Sequence, residues 1–381
     1  MRILYLTLGC FDKGGISRYC RYQIKALREI VGAKNIYVLS LRGSNGDSFE
    51  QRFDINYFAG STDLRGKSLF ACEAFKQALI WRPDVILSSH INLSSLARLL
   101  AVLCHGKVVE NIYGLEVWSH KRKDAAWGLK KSNFVISDCH YTANYAAENQ
   151  LTNGKIEVIW DCVDIDRFFP AKFKQNVLAK YGIPNPDYGI NLLTLGRMTL
   201  RDSYKGYERL FDVCRHISDR APNLRLIYAG QGDLAESLKS KTKQLGLSDR
   251  VFFTGSVEEC DLADVYRAAH IFSLLSDRGE GRGEGIPLTP LEASACGLPI
   301  LVGNQDGSQE AVMDGHNGFV VDPFDLELHG KVIMTLVNNS TKRREMGIRG
   351  VERIRDVFSY SMFKDKHHVA LKQWFPSIAM L

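Results

Sequence analysis

The 381-residue chain lacks the features that would assign it to several common protein classes. It has nine cysteines but no C-x-x-C pair, which argues against a zinc site or a disulfide scaffold and indicates a reducing compartment. The apolar stretch at the N-terminus, Ile3 to Leu8, is shorter than a signal-peptide core of about 7–15 residues. No run approaches the roughly 18 apolar residues of a membrane-spanning helix.

Motifs for several kinds of chemistry are also missing. The sequence has no G-x-S-x-G nucleophile elbow, and no D-x-D or HExxH in a context that would hold a metal. Serine-hydrolase and metal-dependent chemistry therefore have no support. We found no internal repeat and no low-complexity segment.

The composition is that of an ordinary globular protein, with 45% apolar and 24% charged residues. At about 100–200 residues per domain, the length predicts two or three domains. The net charge of +6 is mildly basic and fits anionic partners, such as nucleotide phosphates or an acidic membrane surface, without being a nucleic-acid signature. We expect a cytoplasmic protein, associated at most peripherally with the cytoplasmic face of a membrane.

Short apolar runs alternate with helical-period segments in two series, which predicts an α/β fold with parallel sheets. The first domain is predicted over residues 1–168 and the second over 187–358, with a proline-containing link between them. The pattern of residues 358–375 predicts a helix. Ligands of open α/β sheets bind beyond the carboxyl ends of the strands, so two such sheets facing each other would clamp a ligand in a cleft.

The stretch GEGIPLTPLEASACG, residues 283–297, combines a glycine-rich loop with the start of a helix. Thr289 and Glu292 have the spacing of a capping box, with Pro290 at the first helical position. Capping would explain Glu292 without any chemistry, but it does not explain Glu284. A helix N-terminus carries unpaired N–H groups and attracts phosphate, so we expect an anionic ligand here.

Two further strand-to-helix segments have residues suited to phosphate. Gly14 and Gly15 follow the first strand, where they would allow close approach of a ligand or simply make a turn. Arg197 and Lys205 follow a later strand, where two cations can neutralise a diphosphate or lie on a solvated loop. The segment AGQGDLA matches the dinucleotide fingerprint G-x-G-x-x-A, but no acidic residue ends the next strand, which favours a tight turn.

The segment HKRKDAAWGLKK, residues 120–131, interleaves basic residues with Trp127, and Trp118 precedes it. This pattern suits an anionic membrane surface, although a charge run is often a solvated helix face. His90 ends another apolar run, so it either points into a cleft or has a structural role.

Together these segments resemble the retaining, nucleotide-sugar-dependent glycosyltransferases of family 4, which have the GT-B fold. The segment EGIPLTPLE matches the E-x7-E element of the family, with Glu284 and Glu292 as its two glutamates. Arg197 and Lys205 match the pair that binds the donor diphosphate. Three features depart from the family pattern: Tyr113 stands in the place of a histidine, residues 160–164 are WDCVD where the family has P-N-G-V-D, and Pro287 offers no amide to the donor.

The resemblance implies two Rossmann-like domains facing across a cleft, the first binding the acceptor and the second the nucleotide-sugar. It also implies that a C-terminal helix, about residues 359–381, packs back on the first domain. Glu284, Arg197 and Lys205 would be catalytic, and His90 and Tyr113 would bind the acceptor. The implied donor-binding residues are Gly14, Gly15, Arg197, Lys205, Ser256, Glu284, Gly285, Ile286, Leu288, Thr289 and Glu292.

The activity implied by the resemblance is retaining, metal-independent transfer from a nucleotide-sugar, with UDP favoured, to a glycan or a lipid-linked oligosaccharide. No cofactor is expected. The resemblance is also compatible with a peripheral contact with an anionic membrane. Alternatives are a UDP-sugar epimerase, a catalytically silent nucleotide-sugar-binding protein, and a nicotinamide-dependent oxidoreductase built on AGQGDLA.

Overall fold

A computed structural model describes residues 1–12, 14–43, 55–119 and 122–376. The chain forms two compact units, one of Met1–Cys162 with Tyr360–Leu381 and one of Val163–Ser359. Residues 163–168, which the sequence analysis assigned to the first domain, thus belong to the second unit. The reason is a β-bridge between Val163 and Ser359, supported by a 2.8 Å hydrogen bond from the Val163 amide to the carbonyl of Phe358.

The first unit contains a sheet of seven parallel strands in the order β3-β2-β1-β4-β5-β6-β7. Its strands are Ile3–Thr7 (β1), Ile36–Ser40 (β2), Tyr57–Phe58 (β3), Val85–Ser88 (β4), Lys107–Ile112 (β5), Phe134–Ser137 (β6) and Lys155–Val158 (β7). Helices connect them: Gly15–Val31 (α1), Leu64–Ile80 (α2), Ser94–Cys104 (α3), Leu115–Trp118 (α4), Lys123–Lys130 (α5) and His140–Glu148 (α6). Every residue of β1 is buried, as expected for a parallel strand covered on both faces.

The second unit repeats this plan with six parallel strands in the order β10-β9-β8-β11-β12-β13. Its strands are Ile190–Leu195 (β8), Leu224–Ala229 (β9), Val251–Gly255 (β10), Ile271–Leu274 (β11), Ile300–Gly303 (β12) and Gly318–Val321 (β13). Its helices are Gln175–Tyr181 (α7), Tyr207–His216 (α8), Asp233–Gln244 (α9), Leu262–Arg267 (α10), Leu288–Ala295 (α11), Leu326–Asn338 (α12) and Ser340–Val357 (α13).

The last helix, Tyr360–Trp374 (α14), belongs to the first unit. It packs with α1 on one face of the sheet, where Phe363, Leu371 and Trp374 join the core. The Tyr360 hydroxyl donates to Glu29 Oε1 over 2.9 Å. Helices α2 and α3 cover the other face. None of the described helices is both long and apolar enough to span a bilayer.

Strand order reverses between β1 and β4 in the first sheet and between β8 and β11 in the second. Such a reversal opens a crevice at the carboxyl ends of the two strands, which is where open α/β sheets bind ligands. The fold class predicted from the sequence, two parallel Rossmann-like α/β units, is confirmed. In the second unit, a ligand site is therefore expected at the segments that follow β8 and β11.

Candidate functional site

The centre of the site is an ion pair between the two segments that leave the strand-order reversal of the second sheet. The Lys205 ammonium, in the segment after β8, lies 2.9 Å from Glu284 Oε1, in the segment after β11. The Tyr204 hydroxyl donates to the same oxygen over 3.1 Å. Burial alone would lower the pKa of Lys205, but the Glu284 carboxylate raises it overall, so the ammonium stays charged. The pair fixes one positive and one negative group at the crevice.

The backbone of Glu284 is held by the loop after β12. Asp306 Oδ2 accepts a hydrogen bond from the Glu284 amide at 2.9 Å, and the Gly307 amide donates to the Glu284 carbonyl at 2.9 Å. Asp306 is fully buried, and burial raises the pKa of its carboxyl group to about 6. Glu284, which the capping pattern left unexplained, is thus anchored by both its side chain and its backbone.

The segment between β8 and α8 carries the two predicted cations in different settings. Lys205 ends a short 3-10 turn, and Gly206 follows at φ +77°, where a Cβ atom would lie 2.2 Å from the carbonyl oxygen of Leu275. That left-handed turn brings the segment against β11. The Arg197 side chain is 79% exposed, with one guanidinium nitrogen 3.5 Å from Asp202. Lys205 is therefore fixed in place, whereas Arg197 reaches into solvent.

The capping box predicted at the start of α11 is wrong. The helix begins at Leu288, Pro287 is the N-cap residue, and no side chain caps the helix. Glu292 is 2% exposed, and its Oε2 accepts a 2.8 Å hydrogen bond from the Tyr266 hydroxyl. Tyr266, on α10, lies far from Glu292 in sequence, so local spacing could not reveal this partner. The amides of Leu288 and Thr289 lie in the first turn, where intrahelical acceptors are missing.

The remaining predicted residues of the second unit lie at varying distances from this pair in the fold. Gly285 and Ile286 follow Glu284 directly, and Ile286 is 6% exposed. Ser256 is exposed just after β10, the edge strand, two strands away from β8. The structure thus groups Gly285 and Ile286 with the site, and Ser256 lies at the far end of the same sheet edge.

The AGQGDLA segment forms the turn between β9 and α9. Gly232 is the N-cap of α9 at φ +148°, and a Cβ there would lie 2.3 Å from the Met198 carbonyl oxygen. Asp233 Oδ1 accepts from the Leu200 amide at 2.9 Å. These contacts give the glycine and the aspartate a packing role against the segment that carries Arg197.

In the first unit, Gly14, Gly15 and His90 lie in segments that follow strands. Gly14 is the exposed N-cap of α1, and nothing lies within 4 Å of a Cβ added to Gly14 or to Gly15. His90 follows β4, and its Nδ1 accepts from the Asn92 amide at 3.2 Å. Burial, and secondarily the charge of Arg42, lowers the pKa of His90 to about 4. His90 is therefore a neutral cap of a short 3-10 helix at neutral pH.

Tyr113, predicted to bind the acceptor, lies within the core of the first unit and is 7% exposed. Its hydroxyl accepts from Asn111 Nδ2 at 3.1 Å. Asn111 also donates to Gln23, whose amide nitrogen lies 3.0 Å from His367 Nε2 on α14. This buried polar network, which the sequence analysis missed, directs the hydroxyl inward rather than toward the surface.

The basic segment proposed for membrane contact divides into buried and exposed parts. His120 and Lys121 lie outside the described residues. Trp118 is 6% exposed and packs edge-on against Tyr141, so its predicted surface position is wrong. Trp127, on α5, is 45% exposed. In the described part of the segment, the Trp127 ring is the aromatic group exposed at the surface.

Within the described part of the chain, one group of side chains has the spacing of metal ligands: Glu258, Cys260 and Asp261. Lys180 already occupies this acidic cluster, with its ammonium 2.9 Å from Glu258 and 2.8 Å from Asp261. The Lys180 ammonium thus pairs with both carboxylates, and the cluster is a salt-bridge network near α10 and not part of the site.

Part of the chain resembles a family of known proteins. Residues 186–353 match the family described as "Glycosyl transferases group 1". The chain is 32% identical over 208 residues to mannosylfructose-phosphate synthase of Agrobacterium fabrum, covering 52% of this chain and 43% of that protein. It is 27% identical over 251 residues to a GDP-mannose-dependent alpha-(1-6)-phosphatidylinositol monomannoside mannosyltransferase of Mycolicibacterium smegmatis, covering 64% of each. The chain thus spans less than two thirds of the length of these relatives.

Solved structures share the fold along nearly the whole chain. Anabaena HepE in complex with UDP superposes with a TM-score of 0.80 at 16% identity, covering 98% of this chain and 100% of that one. Sucrose-phosphate synthase from Thermosynechococcus elongatus gives a TM-score of 0.78 at 19% identity, covering 99% and 100%. The predicted family resemblance and GT-B type fold are confirmed.

Proposed function

Because residues 186–353 match the group 1 glycosyl transferases, we propose that this chain transfers a sugar from a nucleotide-sugar to a glycan or lipid-linked acceptor. The transfer would proceed with retention, in polysaccharide or glycolipid biosynthesis. The observation that carries the proposal is the Lys205–Glu284 pair, fixed at the strand-order reversal directly before the open amides of α11.

The donor diphosphate binds between these amides and the two cations. The amides of Leu288 and Thr289 lie at the positive end of the α11 helix dipole, which attracts the phosphates, while Lys205 and Arg197 supply full positive charges. As the bond between sugar and diphosphate breaks, negative charge grows on the leaving diphosphate. Preorganised donors stabilise that charge more in the transition state than in the ground state. These groups need no divalent metal to neutralise the leaving group.

The two glutamates have different tasks in this scheme. Glu284 approaches the transferred sugar. Asp306 anchors its loop and Lys205 holds its carboxylate, so the group is already fixed in position when the donor binds. Glu292 binds the ribose through its carboxylate, which the Tyr266 hydroxyl orients. Tyr266 is therefore a positioning residue for nucleotide binding.

The donor base and the acceptor are proposed from relatives. The related structure of HepE holds UDP, which supports a UDP-sugar, while two mannosyltransferase relatives are named as GDP-mannose-dependent. The acceptor in their names is a phosphatidylinositol monomannoside, which supports a lipid-linked acceptor and work beside a membrane. A thermal-shift panel of UDP, GDP, ADP and their sugar derivatives tests the base. A ligand present at a hundredfold excess over Kd stabilises the protein by about 2.7 kcal/mol.

Calorimetric titration of UDP into Arg197→Ala and Lys205→Ala tests the donor site. We expect both variants to lose affinity, with the larger loss at the fixed Lys205. Lys180→Ala is the matched control, because Lys180 is also a paired lysine of the second unit but lies in the acidic cluster near α10. Parental UDP affinity in both site variants would refute the assignment.

Product analysis separates transfer from the alternatives. An epimerase converts the nucleotide-sugar without an acceptor, a silent binding protein converts nothing, and a transferase releases nucleotide only as a glycoside forms. NMR of the product anomeric centre reports retention or inversion. A thermal shift with NAD but none with UDP would instead support the oxidoreductase reading.

A further inference from the structure

Helix α3 has an unusual composition for a helix on the surface of its unit. Its sequence is SSLARLLAVLC, with a single charged residue. Ala97, Leu100 and Ala101 face the core and are at most 1% exposed. A helix that is apolar on all sides is ordinarily buried on all sides. This one is not.

The outward side of α3 carries three large apolar residues. Leu99 is 50% exposed, Val102 57% and Leu103 44%. Their spacing of three and four residues puts them on one face of the helix, opposite the buried alanines. Single exposed apolar residues are normal, but a continuous apolar helix face marks an interaction site.

The helices on both sides of α3 expose apolar residues too. Helix α2 shares a core cluster with α3, and its last two residues, Leu79 and Ile80, are 57% and 74% exposed. Helix α5 is joined to α3 where the Ser94 hydroxyl donates to the Ala125 carbonyl over 2.8 Å. The exposed Trp127 lies on that helix. We call the set Leu79, Ile80, Leu99, Val102, Leu103 and Trp127 the α3 surface.

Basic residues accompany the α3 surface. Arg82 follows α2, Lys123 begins α5 and Lys131 follows it, and all three are exposed. The acids of the same helices are engaged locally. Glu73 accepts from Tyr37, Gln77 and Lys76, and Asp124 pairs with Arg122. The excess charge around the apolar face is therefore positive.

We propose that the α3 surface docks this chain on an anionic lipid bilayer. Amphipathic helices that lie in the plane of a membrane interface bury apolar side chains among the acyl chains, while lysine and arginine contact anionic headgroups. Trp127 has the amphipathic ring that favours this depth. A second copy of the chain is the less suitable partner, because apposed α3 surfaces would bring their basic residues together. The proposal does not depend on the reaction that the second unit performs.

Vesicle flotation with the full chain tests the proposal. We expect binding to vesicles of phosphatidylglycerol and phosphatidylcholine, weak binding to pure phosphatidylcholine, and release by salt. Val102→Glu should reduce binding about tenfold or more, because it replaces buried apolar area by a charge that anionic headgroups repel. Ile348→Glu is the matched control, since Ile348 is 52% exposed on α13 of the second unit. It should bind like the parent.

Further measurements make each outcome decisive. Lys123→Glu combined with Lys131→Glu should lower binding to anionic vesicles and leave the weak binding to neutral ones unchanged. Val102→Glu is used if its unfolding midpoint, measured by circular dichroism, equals that of the parent. If the midpoint is lower, Val102→Ser is used instead. The proposal is overturned if the parent binds neither vesicle, or if Val102→Glu binds as the parent does. It is equally overturned if size-exclusion chromatography shows a parental dimer that Val102→Glu dissociates.

Discussion

Replacing Lys205 by methionine should destabilise the second unit more than its loss of one surface charge would suggest. Lys205 and Glu284 are 16% and 17% exposed and lie 2.9 Å apart, so each is the main charge partner of the other. Lys205→Met leaves the carboxylate with the hydrogen bond from the Tyr204 hydroxyl, over 3.1 Å. Glu284→Gln keeps an oxygen for Tyr204 but leaves the ammonium without a carboxylate.

The expected size follows from the burial of the pair. Breaking a fully buried ion pair costs about 3–5 kcal/mol, because it strands a charge away from water. Partial exposure and the remaining Tyr204 hydrogen bond reduce this to about 2 kcal/mol for Lys205→Met. For a unit of this size, that corresponds to a fall of about 4–8 °C in unfolding midpoint. The double variant, with neither charge, should recover part of the loss, giving a coupling energy of about 1–3 kcal/mol.

Four proteins are needed: the parent, the two single variants and the double variant. Urea unfolding followed by circular dichroism gives the coupling energy, and calorimetry gives UDP affinity. Glu284→Gln should bind UDP at least as tightly as the parent, since Lys205 is released for the diphosphate, whereas Lys205→Met should bind it more weakly. If the single effects simply add, or if Lys205→Met binds UDP like the parent, the pair does not hold the site together.

Three other substitutions test the contacts around the site. Gly206→Ala should cost more than Gly246→Ala in urea unfolding: both glycines have positive φ, which costs an alanine about 1–2 kcal/mol, but only at Gly206 does the added Cβ meet a carbonyl oxygen, at 2.2 Å. The raised pKa of Asp306, about 6, means that the folded state keeps this proton where the unfolded chain releases it, so the free energy of unfolding falls as pH rises toward 6. Asp306→Asn should flatten that fall in a pH series of unfolding curves, and an unchanged slope would contradict the assignment. Tyr266→Phe removes a buried hydrogen bond to Glu292, so we expect a loss of about 1–3 kcal/mol and weaker UDP binding, and unchanged UDP affinity would exclude the positioning role.

The sequence was informative where a feature depends on the period of a segment or on its place in the chain order of strands and helices. The alternation of apolar runs predicted the α/β fold, because parallel strands and their crossover helices have different periods. Arg197 and Lys205 could be proposed because they lie in a segment that follows a strand, and Glu284 because it lies in a glycine-rich loop before a helix. Their assignment to donor binding and catalysis remains a prediction.

Features that depend on contacts between segments far apart in sequence could not be predicted. Lys205 and Glu284 meet because β8 and β11 are adjacent, although β11 is the fourth strand of its unit in chain order. Glu292 had the local spacing of a cap, yet the distant Tyr266 hydroxyl bonds its carboxylate. Tyr113 stood where the family has a histidine, and its place in a polar network with Asn111, Gln23 and His367 depends on side-chain contacts across three distant segments.

The return of α14 to the first unit has a consequence for how the chain is made. Residues 163–359 form an uninterrupted unit whose contacts are complete once β13, α12 and α13 have left the ribosome. The first unit, in contrast, must wait for its final helix, because Gln23 and His367 meet across 344 residues of chain. Since domains generally fold as units during synthesis, we expect the middle of the polypeptide to reach its native state before the beginning does. Until then, the side of α1 that α14 covers stays open to water, so a stalled chain would present it to chaperones.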